Sequence, residues 1–187
     1  KNNKRTIFGW SMYDWANSAY STTTVGALMP AYFATVVVAE GGFDIFGINL
    51  QADEIWGYAT GWFIFIFFLI FPILGAAADM SGKKREYLRI FVYGGSLFAT
   101  AMYFLTSGDV VLTLIFYFFA QFGFVGSLVF YDGLLRDITT EDTIDQVSTK
   151  GYALGYIGGG LQLVIALVIV VFATGGIIPI DPPIWLN

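Results

Sequence analysis

Five polar side chains stand out in a stretch that is otherwise apolar: Asp14, Asn17, Ser18, Ser21 and Thr24. Their spacing of three and four residues puts them on one face of a helix. In hydrocarbon such a stripe has to face other helices or a water-filled cavity, because an unpaired polar group there is costly. Asp14 follows Arg5 by nine residues, roughly 13 Å at the helical rise, which is below the headgroups yet short of the midplane. A carboxylate at that depth can carry a proton or bind a solute. It can equally serve as glue between helices. A second polar face is formed by Tyr117, Gln121 and Asp132. Gln121 sits mid-segment, where an amide can bind a polar solute or bridge two helices. Asp132 precedes Arg136 by four residues, a spacing that lets the two neutralise each other.

The chemistry open to these residues is bounded by what the chain lacks. It contains no histidine and no cysteine, so Ser-His and Cys-His catalysis, disulfides and the common zinc sites are excluded. No cofactor and no metal are expected, and proton chemistry falls to carboxylates, tyrosines and lysines. The net charge of −5 leaves no basic face for nucleic acid.

The elements that must position these residues read as membrane helices. Of 187 residues 57% are hydrophobic and 12% charged, about half the charge that a water-facing surface carries. Apolar runs near the 20 residues a bilayer requires fall at about 7–38, 55–78, 87–106, 110–134 and 151–173. The fold expected is therefore all-α and integral to a membrane, with about five transmembrane helices joined by short polar connections. Pro30 is placed to kink the first helix. Asp53 and Glu54 suit the start of the second, and Ser107-Gly108-Asp109 marks a tight turn before the fourth. Thr143, with Gln146 three residues on, resembles a capping box before the fifth. The stretch 174–187, with three prolines, reads as an outer loop.

If the helices alternate in direction, all nine basic residues fall on one side: Lys1, Lys4, Arg5, Lys83, Lys84, Arg85, Arg89, Arg136 and Lys150. The opposite loops hold Glu40, Asp44, Asp53, Glu54, Asp109 and Asp181. By the positive-inside rule the N-terminus is expected in the cytoplasm.

Glycines form two further patterns. Gly151, Gly155, Gly158, Gly159 and Gly160 crowd the start of the fifth helix, and Gly155 with Gly159 would let a neighbour approach closely. Between the second and third helices lie Gly75, Asp79 and Gly82, followed by the basic run Lys83, Lys84 and Arg85.

This last pattern resembles the signature between helices two and three of the major facilitator superfamily. There the Asp and the basic residues form a cytoplasmic gate, which implies that role for Asp79 and Arg85, with Arg136 as a partner for Asp79. Gly151, Gly155, Gly159 and Gly160 resemble the fifth-helix motif of exporters in the family, with Tyr156 where those carry proline. The stretches GWSMYDWANSAYSTT and VSTKGYALGYIGGG are similar to the vacuolar-effluxer, autophagy-related branch and its bacterial relatives. The resemblance implies the N-terminal portion of a twelve-helix secondary transporter in a bacterial inner membrane. It implies export of a small polar solute, amino acids among the candidates, by alternating access. The partners expected are the lipid bilayer, the solute and a missing C-terminal half. In that fold helices one and four line the cavity, so Asp14, Asn17, Ser18, Ser21 and Gln121 are the expected cavity residues. Two other readings stay open. Asp14 and Asp132 could form the acid pair of an intramembrane aspartyl protease, with Ser107-Gly108-Asp109 as its nearest Gly-x-Gly-Asp element. The chain could also be a non-transporting scaffold or a truncated remnant.

Overall fold

The computed structural model describes residues 1–38, 40–45 and 47–174, with no side-chain description for 173 and 174. Asn3 caps the first helix, α1 (Lys4–Ala19), its Oδ1 accepting from the amides of Arg5 and Thr6. The rod then widens into a π-helix over Tyr20–Leu28, returns to α geometry in α2 (Met29–Tyr32), and widens again over Phe33–Val37. The register change is visible in the amide of Met29, which bonds to the carbonyl of Thr24, five residues back. The cause lies in the residues: Thr22, Thr23, Thr24 and Val25 are β-branched and weak α-formers. Pro30 adds a position with no amide to donate. Pro30, where a kink is expected, is flanked by π-helical turns on either side.

Two short antiparallel strands follow, β1 (Phe43–Ile45) and β2 (Ile48–Leu50), pairing Phe43 with Leu50 and Ile45 with Ile48. They are an addition to the all-α expectation. Gln51 and Glu54 then form a reciprocal capping box that opens α3 (Ala52–Ser81). Gly82, in the left-handed region at φ 66, closes it. The remaining helices are α4 (Lys84–Ala101), ending in a 3₁₀ turn over Met102–Phe104, α5 (Val110–Ile138) and α6 (Ile144–Thr174). The outer loop expected beyond Thr174 lies outside the described residues.

Three of these helices, α3, α5 and α6, are long and apolar enough to cross a membrane by themselves. With the first rod and α4 they make the five spans of an all-α integral membrane protein. The apolar faces fit that solvent: Phe68 is 72% exposed and Ile73 71% exposed on α3, a cost in water and none in lipid.

The chain forms two compact units. One, residues Lys1–Ala31 with Leu135 onward, is built on α1 and α6 packed along their lengths. The other, Tyr32–Leu134, contains α3, α4 and most of α5. Its core joins Phe33, Val37, Val38, Ile55 and Val110. An aromatic ladder continues from there: Phe63, Phe67 and Phe71, one turn apart on α3, meet Phe118 and Phe122 of α5 at ring distances of 5.0–5.7 Å. In α4, Gly95 lies flat on α5. A Cβ at Gly95 would stand 3.0 Å from the Cα of Gly123, and one at Gly123 would stand 2.6 Å from the amide nitrogen of Gly95. The two backbones touch, which is how helices associate where no water drives them together.

Candidate functional site

The polar stripe of α1 lies in the first unit. Asp14 is 6% exposed and Ser11 4% exposed, while Asn17, Ser18 and Ser21 are half-buried. What packs on Asp14 and Ser18 is the glycine face of α6. A Cβ at Gly155 would stand 2.5 Å from Asp14 Oδ2 and 2.7 Å from Ser18 Oγ. One at Gly159 would stand 2.6 Å from Thr22 Oγ1. Gly151 meets the ring of Trp10, and Gly158 the ring of Trp15. The contact face of α6 therefore runs through Gly151, Gly155, Gly158 and Gly159, the i, i+4, i+7, i+8 pattern of one helix face. Gly158 thus joins the expected packing glycines, while Gly160 points off this face and meets nothing within 4 Å among the described residues. The acidic and hydroxyl side chains and the glycines, separate patterns in the sequence, are brought together as one interface.

The second unit holds Gln121. Its Nε2 donates to the Tyr117 hydroxyl at 2.6 Å, one turn back on α5, while its Oε1 is buried with no partner among the described residues. Tyr117 is 2% exposed and its ring lies 4.7 Å from that of Trp56 on α3. Asp132, near the end of the same face, is exposed.

The glycine and basic pattern between α3 and α4 is also in this unit, and Lys84 is its hub. Lys84 Nζ pairs with Asp79 Oδ1 at 2.9 Å and donates to the carbonyl of Gly133 on α5 at 3.2 Å. One ammonium thus ties three helices. The left-handed turn at Gly82 makes this possible, because it folds the start of α4 back onto the end of α3. Gly75 serves the same approach, since a Cβ there would stand 3.2 Å from a methyl of Val129. Lys83 faces Glu86 at 3.9 Å in solvent, and Arg85 is exposed. Asp79 is thus paired with Lys84. In the first unit the carbonyl of Arg136 accepts from Lys1 Nζ at 2.8 Å.

Two features escape a reading of the sequence: Lys84 as the central cation, and the Gly95–Gly123 crossing. The signals are present as small residues at 94, 95, 123 and 126, but nothing in one helix says which glycine meets which.

These positions can be compared with known proteins. Residues 2–177 match the family described as vacuole effluxer Atg22 like. The chain belongs to this family. A relative 35% identical over 172 residues is YxiO of Bacillus subtilis (strain 168), described as an uncharacterized MFS-type transporter. The match covers 92% of the chain and 39% of that relative, so the chain spans about two fifths of the relative's length. No solved structure matches. The family is one of transporters, and among the described residues nothing favours the protease reading. Asp109, the acid of the Ser-Gly-Asp element, is engaged in the turn before α5. Its Oδ2 accepts from the amide and the hydroxyl of Thr106, both at 2.9 Å. Those hydrogen bonds hold its carboxyl below the ordinary carboxylate value.

Proposed function

We propose that this chain is part of a secondary transporter that moves a small polar solute by alternating access, acting as an exporter rather than as an enzyme. The N-terminus lies in the cytoplasm, the membrane is the bacterial inner membrane, and the remaining helices complete the machine. Amino acids are the first solutes to try. The observation that carries this reading is the contact of buried Asp14 and half-buried Ser18 with Gly155 and Gly159. A face of glycines lets α6 lie close on α1, and alternating access requires helices packed in this way to shift against each other. A carboxylate in that seam is placed to sense or drive the shift. Asn17, Ser21 and Gln121 are the solute-facing groups, and Asp79 with Lys83, Lys84 and Arg85 forms the gate.

The test is flux. With the full-length protein in vesicles, a panel of labelled small polar solutes is assayed with and without a proton gradient. Asp14→Asn is expected to fold normally and to lose gradient-driven flux by about tenfold or more, since a neutral amide cannot cycle a proton. Flux that is unchanged across pH would remove Asp14 from the mechanism.

A further inference from the structure

The first three residues do more than begin a helix. Asn2 has φ 62, a left-handed conformation that asparagine tolerates and most residues do not. From there its side chain reaches the turn between α5 and α6. Nδ2 donates to Thr140 Oγ1 at 2.7 Å, and Oδ1 accepts from Thr143 Oγ1 at 2.8 Å and from the Thr140 amide at 3.3 Å. Its own amide donates to the carbonyl of Ile138 at 2.7 Å, and Lys1 Nζ to that of Arg136 at 2.8 Å. Both ends of the Asn2 amide are thus spent on one turn. Thr143 stands just before α6, and its hydroxyl is directed to Asn2 and to Thr140.

We propose that Lys1-Asn2 is a latch that holds the start of α6 in register with α1 and can open without unfolding either helix. Three features separate a latch from a permanent joint. Its bonds are exposed to solvent, so each contributes little net and can be exchanged for water. The hinge is built in, because Asn3 caps α1 by bonds of its own to Arg5 and Thr6, and α1 keeps its cap when Asn2 lets go. What the latch controls is also defined: α6 from Ile144 onward carries the glycine face that rests on Asp14 and Ser18. The latch itself stands on this geometry alone and does not depend on transport.

Hydrogen exchange of the full-length protein in detergent tests it. Asn2→Gly keeps the left-handed backbone and removes the amide. It is expected to speed exchange across residues 139–150 on the order of tenfold while exchange in 4–19 stays unchanged. Thr143→Val is expected to give a smaller increase in the same segment. The double variant should exchange no faster than Asn2→Gly, since both act through one contact. Unchanged exchange in Asn2→Gly, additive effects in the double variant, or faster exchange in α1 as well would each overturn the proposal.

Discussion

Replacing Gly123 by leucine is expected to abolish the folded protein: no monodisperse peak in detergent and no membrane accumulation at growth temperature. The reason is the backbone contact between α4 and α5. A Cβ at 123 would lie 2.6 Å from the amide nitrogen of Gly95 and 2.7 Å from the carbonyl of Phe91. Neither is the free end of a side chain that could step aside. Even Gly123→Ala forces the helices apart and is expected to cost about 3 kcal/mol, lowering the melting midpoint by roughly 6–12 °C. The same substitution at Gly94, where a Cβ meets nothing within 4 Å, should be neutral or should stabilise by about 0.5–1 kcal/mol as glycine is removed from a helix. A size-exclusion melt of the parent protein and the two alanine variants reads the contrast directly. Equal melting points for the alanine variants at 94 and 123 would mean that the two backbones do not touch.

The glycine face of α6 gives the second large effect. Gly155→Leu puts a branched side chain where Asp14 and Ser18 now pack, and it is expected to separate α6 from α1 or to prevent insertion. A destabilisation of about 3 kcal/mol or more is expected, at the upper end for overpacking. Gly160→Ala, five residues on, should raise stability by about 0.5–1 kcal/mol, because that position is open. The opposite signs are what identify a packed face and not a merely glycine-rich, flexible segment.

Much of the scaffold was legible because a bilayer imposes a length and an apolar composition that a single sequence displays. The ends of the helices were less so. The third span was expected from residue 87 and the fifth from 151, whereas α4 starts at Lys84 and α6 at Ile144. An apolar window sees only the part of a helix that lies in hydrocarbon, and the charged turns of α4 and α6 extend past it. The π-helical turns after Ala19 had a local cause in the β-branched run and Pro30, yet i→i+5 pairing leaves no periodic mark that short. The site was legible as two lists, a polar stripe and a glycine cluster. That Asp14 rests on Gly155 depends on how α1 and α6 cross, and a crossing is a property of two helices. Lys84 hid for a similar reason: three basic residues in a row look alike until Gly82 turns the chain and presents one of them to Asp79 and Gly133.

In the transport cycle proposed above, the polar face of the first rod belongs to a pathway opened to each side of the membrane in turn. Because this chain has no cysteine, it accepts a single reporter cleanly, and any cysteines elsewhere in the full-length protein can be removed. Ser21→Cys places a thiol on the polar face and Phe68→Cys places one on the lipid face, each in membranes of known orientation. A membrane-impermeant maleimide is then added from one side or from the other. The thiol of the Ser21→Cys variant is expected to be labelled from both sides, with a ratio that changes when a proton gradient is imposed. The thiol of the Phe68→Cys variant is expected to be labelled from neither. Labelling of the Ser21→Cys variant from one side only under every condition, or from neither side, would contradict alternating access along this face.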